Sequence, residues 1–467
     1  MKNRLTALLL AAALAFAIGV NAVSPEDAAT TPAPAQTDAA EPAETVETAA
    51  EPADTAAEPA ETAQPVPAVT DGTLEFSALR GQMLSHYYPL LALGENIRTL
   101  EEWDYARTED DLRDALNAIA AQQWELSVMP TIDLDSLEGL TPEEIFDQVG
   151  GSAISAAAGL AVSPVVLPQL QTQYDACLQA FEDVRSGKMQ ADNAGVVRQL
   201  RNLQNQTVIV AESLFITYKG LEAQDASLSR TVAALERTER EMTLRRELGQ
   251  ISELTLQQVR SGGAQAQSGQ KTLRMNMDNL LLQLKAMTGA KLDGSLTLGA
   301  LPQVSAQQLA DMDLDADYAK AAAASYELYD AKKSYDAAET AFQEARDKYA
   351  DDPGKNEWLQ AQHTWNAAQY TYENAKQSFE LKFRTLYAQV RDAAQTAQTR
   401  RASLGAQEKA YAAAALRYEQ GTLSANALAD AKDTLASAKA EAASAERDLF
   451  AQYRSYCWAV EYGILNA

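Results

Sequence analysis

Residues 245–252 of this chain read RRELGQIS, and residues 417–424 read RYEQGTLS. The two segments lie 172 positions apart, and their alignment holds without a gap from Leu214/Leu386 to Leu256/Leu428. Six of the last thirteen aligned pairs are identical. The chain therefore contains two copies of one unit, and each copy turns at a glycine.

The residues around each glycine predict a helix on both sides of the turn. Gly249 and Gly421 can take the left-handed conformation that ends many helices. Ser252 and Ser424 follow at positions where a serine can cap the next helix. Each segment is therefore predicted to be the tip of a helical hairpin. The residues alone leave open whether a tip has a binding role or is simply a turn.

The helices that meet at the tips are predicted to be long. Proline is absent from residues 169–301 and from residues 354–467. Apolar residues in the first copy recur every seven positions, at Leu214, Leu221, Leu228, Leu235 and Met242. In the second copy they alternate three and four apart, at Leu428, Ala431, Leu435, Ala438, Ala442, Ala445 and Leu449. These spacings are typical of coiled-coil seams. A helix over residues 358–420 has a length of roughly 95 Å, so the predicted fold is all-α, with elongated coiled-coil hairpins in two tandem repeats.

The first 72 residues have a different composition. Residues 1–22 combine Lys2 and Arg4 with an apolar run that ends in small residues, the pattern of a secretory signal peptide. An uncleaved membrane anchor is the alternative. Residues 23–72 hold eight prolines and eleven acids but no Lys or Arg. That composition predicts a disordered acidic Ala/Pro/Glu/Thr linker, which is either a tether across an envelope layer or a solvated tail.

The remaining chain is divided into a first repeat, 73–304, and a second repeat, 305–467. Helix is expected from Leu74 to about Val128, with a break or kink at Pro89. An insertion, 131–168, follows in the first repeat and reads as a β-hairpin, a packed loop or a short helix. The fold therefore has at most a minor β element there. The second repeat has only residues 349–355 at the matching place, a loop short enough to join antiparallel helices.

Charge and cysteine content narrow the function classes. The formal net charge is −26, and nucleic-acid binding is not expected because basic clusters are absent. The two cysteines, Cys177 and Cys457, do not form a disulfide framework. If the helices run straight from the tips, the two thiols differ in height by roughly 54 Å. We therefore expect no disulfide between them within one subunit.

Signs of catalytic chemistry are missing from the sequence. The two histidines, His86 and His363, lie in no metal-ligand spacing, and no Cys-x-x-Cys is present. Neither a glycine-rich phosphate loop nor a Gly-x-Ser-x-Gly motif occurs. Acid pairs are plentiful, but on helix faces they are usually solvated charge. The chain is therefore not expected to be an enzyme or to hold a metal or a cofactor.

The tandem hairpins behind an export signal, turning at Arg-x-Glu-x-Gly-x-[Ile/Leu]-Ser, resemble the outer membrane efflux protein (TolC) family. The likeness covers roughly Leu74 to the C-terminus and is strongest at residues 245–256 and 417–428. It implies a homotrimer whose helices enclose a tunnel, and tips that meet an adaptor (membrane-fusion) protein. The positions expected to contact the adaptor are Gly249, Ile251, Ser252, Gly421, Leu423 and Ser424. Asp430, about 13 Å beyond the second glycine, is a candidate for an acidic constriction, with a solvated helix face as the alternative.

The chain departs from that family in one respect. Members contribute strands from both repeats, whereas the second repeat here has no room for any, so a strand-poor relative is expected. The resemblance implies an exported protein of the cell envelope, in the outer membrane, the periplasm or the surface of a single-membrane bacterium. Two hypotheses follow. The first is an export duct, and the alternative is an exported coiled-coil scaffold that conducts nothing.

Overall fold

Eleven helices account for nearly all the described residues of this computed structural model, which are 72–127, 141–352 and 354–465. The side chains of residues 142 and 145–165 fall outside the description. The predicted signal peptide 1–22, the predicted linker up to residue 71, and residues 128–140, which include the first ten residues of the insertion, also lie outside it. All described residues belong to one compact unit, Ala63–Ala467.

The first half of that unit begins with a strand and then runs through six helices. In chain order they are β1 (Gly72–Leu74), α1 (Phe76–His86), α2 (Tyr88–Glu101), α3 (Tyr105–Ser127), α4 (Pro142–Arg185), α5 (Lys188–Glu247) and α6 (Glu253–Thr288). The second half contains β2 (Leu296–Leu298), α7 (Ala306–Ala310), α8 (Leu314–Ala324), α9 (Tyr326–Lys348), α10 (Asn356–Glu419) and α11 (Ala425–Tyr462).

The long helices pack in antiparallel pairs, as the seams predict. Helices α5 and α6 form one long hairpin, and α10 and α11 form the other. Shorter hairpins pair α3 with α4 and α9 with α10. Every predicted seam residue is half-buried or buried, from Leu214 to Met242 and from Leu428 to Leu449. The predicted all-α hairpin fold is confirmed.

The structure corrects the expected helix from Leu74 to Val128. Leu74 lies in β1, which pairs in parallel with β2 so that Gly72 faces Leu296 and Leu74 faces Leu298. The helical segment is also broken twice, at Tyr87 and at residues 102–104. Pro89 occupies the first turn of α2, where its missing N–H removes no helical hydrogen bond. The break near Pro89 is therefore as predicted, but the segment is three helices and a strand.

The insertion 131–168 is helical in the part that is described. Helix α4 begins at Pro142 behind a capping box, in which Thr141 and Glu144 hydrogen-bond each other's backbone N–H groups. The segment is helical from residue 142 onward, but α4 has 44 residues and extends past the insertion, so it is not the short helix that the sequence left open. The two strands of the described part lie elsewhere, at 72–74 and 296–298.

The two cysteines are unpaired, as expected, although the expectation assumed a straight helix that is not present. Cys177 and Cys457 are both free thiols, and Cys177 Sγ contacts the backbone oxygen of Leu112 at 3.6 Å. The straight helix assumed between Cys177 and Gly249 does not exist. Helix α4 ends at Arg185, and Gly187 takes a left-handed φ of 79° before α5 begins.

Two apolar clusters meet at α11, and the first of them joins the two halves. One surrounds Phe76, Phe215 and Trp458, with ring contacts between Phe76 and both Phe215 and Phe450 at 5.4 and 4.9 Å. The other surrounds Phe379, Phe383 and Leu449. Helix α11 contributes to both clusters, so its burial links the two halves. Among the described residues, no helix combines the length and apolar character needed to cross a bilayer.

Gly463 ends α11 in a position that tolerates no side chain. Its φ is 66°, and a Cβ added there meets the backbone N and Cα of Ser325 at 2.3 Å. We predict that Gly463→Ala lowers the free energy of unfolding by about 2–4 kcal/mol, because left-handed strain and overpacking add. Urea unfolding followed by circular dichroism measures this loss.

Gly405→Ala provides the matched control for that substitution. Gly405 lies inside α10, and a Cβ there meets nothing within 4 Å. Alanine at this site is expected to stabilise the chain by about 0.5–1 kcal/mol. Equal effects of the two substitutions contradict the role assigned to Gly463.

Asp317 of α8 gives the chain a pH-dependent contribution to stability. Burial raises the pKa of Asp317, whereas hydrogen bonds from the Tyr456 hydroxyl, the Lys320 ammonium and the Asp313 N–H lower it. The lowering is the larger effect, so the pKa of Asp317 lies below the usual carboxyl value. The Tyr456 hydroxyl is 2.6 Å from Oδ2. The stability from Asp317 is therefore complete above the ordinary pKa of about 3.9 and is lost as the pH falls through the lower folded-state value.

We predict that Asp317→Asn lowers the free energy of unfolding at pH 7 by about 1.5–3 kcal/mol, the range for hydrogen bonds to a charged group. The difference from the unsubstituted chain is expected to shrink as the pH is lowered below roughly 4. Urea titrations across that pH range provide the measurement. A difference that stays constant from neutral to acidic pH contradicts the assignment.

Candidate functional site

The two hairpin tips have the same backbone turn. Gly249 and Gly421 have φ values of 73° and 71°. At the first tip the N–H of Gly249 donates to the oxygen of Arg246 at 2.9 Å, and the N–H of Gln250 donates to Arg245 at 2.8 Å. The second tip repeats both bonds, from Gly421 to Tyr418 and from Thr422 to Arg417, each at 2.9 Å. This pair of bonds is a Schellman motif, which satisfies carbonyls at the helix end.

The serines that follow the turns cap the return helices. Ser252 Oγ accepts from the Thr255 N–H at 3.2 Å, and Ser424 Oγ accepts from the Ala427 N–H at 3.2 Å. Each serine has an extended backbone and so stands outside the helix it caps. Both the C-cap and the N-cap predicted from the sequence are confirmed. Because the polar backbone groups of the turn are bonded, each tip is a firmly fixed surface.

Apolar side chains remain exposed around these fixed turns. Ile251 and Leu423 are half-buried. The exposed fraction is 64% for Leu248 and 66% for Leu254 at the first tip. At the second tip Leu416 and Tyr418 are also exposed. Exposed apolar residues concentrated on rigid turns are a common feature of protein-binding surfaces.

These exposed residues were not identified from the sequence. A leucine in a helical segment reads equally well as a seam position or as a surface one. The signal that separates them is the turn itself, because the partner helix ends there and leaves the nearest apolar side chains uncovered. Leu248 and Leu254, which flank the first turn, are the clearest examples.

The structure brings the two tips to the same height. Arg237 Nη2 of α5 contacts Asp433 Oδ2 of α11 at 3.4 Å. Arg237 precedes Gly249 by twelve residues, and Asp433 follows Gly421 by twelve. Both glycines therefore lie roughly 18 Å beyond this contact along their helices. The six predicted tip residues fall into two matching sets at one end of the paired hairpins.

The two tips have the same backbone conformation but differ in how their arginines are paired. At the first tip Arg246 pairs with Glu253 at 2.6 Å, and Arg245 pairs with Glu241 at 2.5 Å. Within the described residues, Arg417 of the second tip has no ion pair. Exposed pairs of this kind contribute about 0.2–1 kcal/mol. The first tip therefore has its arginines held, whereas the second presents one free to meet a partner.

Asp430 lies on an exposed face of α11, one turn from Asp433. Its backbone oxygen accepts from the Thr434 hydroxyl at 2.8 Å. Its carboxylate has no ion pair among residues 72–127, 141–352 and 354–465, whereas Asp433 pairs with Arg237. An exposed, unpaired acid is compatible with either alternative raised for this residue, and a role at a constriction stays a prediction.

The tips contain the elements of a docking surface and no reactive constellation. The described residues hold no cluster of His, Cys, Asp and Glu side chains able to bind a metal ion. What the tips offer is a repeated, rigid turn with apolar side chains and a few charges around it. Such an arrangement can recognise another protein by shape and apolar contact.

Comparisons with known proteins give structural likenesses only. No family model matches the chain, and no curated protein does. The outer membrane protein VceC of Vibrio cholerae is 10% identical, with a TM-score of 0.45, over 83% of this chain and 96% of VceC. CusC, whose structures concern folding and transmembrane channel formation, is 12% identical, with a TM-score of 0.42, over 83% of this chain and 96% of CusC. The outer-membrane channel OprN is 12% identical with a TM-score of 0.41, over 87% of this chain and 95% of OprN. The chain is thus similar, at low identity, to structures of outer-membrane channels.

Proposed function

We propose that this chain is a subunit of a TolC-like export duct that docks an adaptor (membrane-fusion) protein through its two hairpin tips. The observation that carries the proposal is the repeated tip. Two Schellman turns with the same hydrogen bonds and the same serine caps stand at one height. The match follows from the shared sequence of the two copies, and it gives a partner two equivalent surfaces that it can contact at once.

The six tip residues have different roles in this proposal. Gly249 and Gly421 set the turn, and Ser252 and Ser424 hold the return helix at a fixed angle. Ile251 and Leu423 support the surface from beneath because they are half-buried. The exposed leucines around the turns supply the apolar contact. Interfaces draw most of their binding energy from a few central apolar side chains surrounded by weaker contacts.

Assembly into a homotrimer is the second part of the proposal. Three apolar side chains of α10 are spaced eleven residues apart at Leu359, Tyr370 and Leu381. Eleven residues make just over three helical turns, so these side chains share one face. The exposed fraction is 72% for Tyr370 and 69% for Leu381. The three side chains lie about 16 Å apart along the helix, and we propose each of them as a separate contact with a neighbouring subunit.

The cell envelope is the proposed location. The support comes from the sequence, where residues 1–22 have the pattern of an export signal and residues 23–72 have a composition suited to a tether. The outer membrane, the periplasm and the surface of a single-membrane bacterium all agree with that pattern. An acidic lumen lined by residues such as Asp430 favours passage of cations over anions.

The experiment that tests docking is retention of a purified adaptor (membrane-fusion) protein. The full exported chain is immobilised, and the purified adaptor is passed over it at increasing concentration. Saturable binding that is competed by a peptide spanning residues 241–258 or 413–430 is expected. Absence of binding, or binding unchanged by both peptides and by tip substitutions, leaves the envelope scaffold as the better account.

A further inference from the structure

A cleft rich in arginine lies away from the tips, between the two halves of the chain. Its volume is about 350 Å³, a size typical of small-molecule sites. It lies between α1, α5, the start of α9 and the end of α11. Three arginines line it, Arg80, Arg198 and Arg201. The chain as a whole carries 65 acidic and 39 basic residues, so a cleft with three arginines has a local charge opposite in sign to that of the whole chain.

Arg198 lacks a counter-charge in this cleft. Its Nη2 donates to the backbone oxygens of Ala323 and Ser325 at 2.9 and 3.2 Å. Its guanidinium lies 4.5 Å from the ring centroid of Tyr329. Within the described residues no carboxylate pairs with it, and burial lowers the pKa of Arg198. Because its hydrogen bonds in that part of the chain all come from Nη2, Nε and Nη1 remain as donors for a ligand.

Arg80 is held in place by neutral groups. Its Nη1 donates to the Tyr462 hydroxyl at 2.5 Å, and its Nη2 lies 3.3 Å from Asn205 Oδ1. Its guanidinium lies 4.9 Å from the Tyr462 ring and 5.4 Å from the Trp458 ring. Among the described residues Arg80 also has no ion pair. A guanidinium fixed by rings and neutral acceptors keeps its charge available to an anion.

The rest of the lining adds donors and little opposing charge. Arg201 is at the exposed edge, where it pairs with Glu101. The amides of Asn202 and Asn205 and the hydroxyls of Tyr326 and Tyr462 also line the cleft. Glu461 is the acid in the lining, and it is exposed. The cleft therefore presents two uncompensated cations and several neutral donors.

We propose that this cleft binds a phosphate monoester. Arginine presents a planar fork of N–H donors that matches phosphate oxygens, and bonds between ionised partners are stronger than neutral ones. A phosphate monoester carries a charge of about −1.5 to −2 at pH 7, which balances Arg80 and Arg198 together. A single carboxylate balances only one of them. Because the lining comes from both halves of the chain, a bound ligand also ties the halves together.

The direct test is a calorimetric titration of the full chain with inorganic phosphate at constant ionic strength. Saturable binding in the millimolar range or tighter is expected. Arg198→Gln and Arg80→Gln are each expected to weaken it about tenfold or more, since each removes one charge-assisted contact. Acetate is the comparison anion, and acetate binding as strong as phosphate overturns the assignment. So does the absence of phosphate binding.

Arg240→Gln is the matched control variant. Arg240 is an exposed arginine of the same helix α5, roughly 60 Å along the axis from Arg198. The Arg240→Gln variant loses the same charge as Arg198→Gln but keeps the cleft intact, so it is expected to bind phosphate as the unsubstituted chain does. Equal weakening in Arg240→Gln and Arg198→Gln overturns the proposal, because it shows an effect of net charge. If Arg198→Gln fails to fold, Arg201→Gln at the exposed edge serves instead, with an expected loss of severalfold.

A second experiment distinguishes a soluble phosphate ester from a lipid headgroup as the ligand. Glycerol 3-phosphate represents a soluble ester, and vesicles containing phosphatidic acid represent a lipid headgroup, with phosphatidylcholine vesicles as their control. Binding of the soluble ester without vesicle retention assigns a soluble ligand. Retention on phosphatidic acid that is lost in Arg198→Gln assigns a headgroup. Neither form of binding depends on the tips, so these outcomes are independent of adaptor docking.

Discussion

Replacing Arg454 with methionine is expected to lower the free energy of unfolding by about 3–5 kcal/mol, the range for breaking a buried ion pair. Arg454 of α11 donates through Nε and Nη2 to the two carboxylate oxygens of Glu212 in α5, both at 2.8 Å. The Trp458 ring N–H donates to the same carboxylate at 2.8 Å. Glu212 is buried, so removal of Arg454 leaves a buried charge with one neutral donor.

Two further variants separate the buried pair from ordinary charge effects. Arg384 of α10 pairs on the exposed surface with Glu380 at 2.8 Å and with Asp315 at 3.9 Å. Because exposed pairs contribute little, Arg384→Met is expected to cost less than about 1 kcal/mol. The double variant Glu212→Gln/Arg454→Met is expected to recover much of the loss, because no unpaired charge remains. Urea unfolding measures all three. A loss below 1 kcal/mol in Arg454→Met contradicts the account of how the halves are joined.

Replacing Gly421 with proline is expected to weaken adaptor binding about 100-fold or more. Proline fixes φ near −65°, whereas Gly421 has a φ of 71°. It also removes the N–H that bonds to Tyr418 at 2.9 Å. The turn must then open, and the fixed surface beneath Leu423 is lost. Helicity is expected to change little because α10 already ends at Glu419.

Gly421→Asn is the control for that substitution. Asparagine adopts left-handed conformations more readily than other side chains, so it is expected to keep most of the binding. The same pair of variants at Gly249 tests the first tip. Binding is measured by surface plasmon resonance against immobilised adaptor, and helicity by circular dichroism. Normal binding by Gly421→Pro with an intact fold contradicts a docking role for this tip.

The tips were predictable from sequence because their chemistry is local. A left-handed glycine, a serine three residues on and an apolar seam depend on neighbours within a few positions. The bounds of α10, Asn356–Glu419, came within two residues of those expected at each end. The helix break at Tyr87 also followed from Pro89 two residues later, which fits the first turn of α2.

Features that depend on distant parts of the chain were not predictable in the same way. The strand pair joins residues 72–74 to 296–298, and nothing local marks either segment as a strand. The break at Gly187 was missed because a single glycine in a helical pattern more often lies within the helix. The carboxylate of Glu212 and the guanidinium of Arg454 are 242 positions apart. Packing of α5 against α11 alone brings them together.

Part of the candidate site was likewise not predictable from the sequence. Leu248 and Leu254 carry no mark that separates them from the buried Leu256, because only the end of the partner helix exposes them. Arg80 and Arg198 come from separate helices, so their cleft could not be found from spacing. The equal height of the tips also needed the contact between Arg237 and Asp433.

The most direct test of the duct is the molar mass of the purified exported chain, measured by light scattering with and without detergent. The account predicts a species of three chains, and it predicts that Tyr370→Ser and Leu381→Ser on the exposed face of α10 shift it toward the monomer. A monomer at every concentration, with detergent and with saturating adaptor, contradicts an export duct.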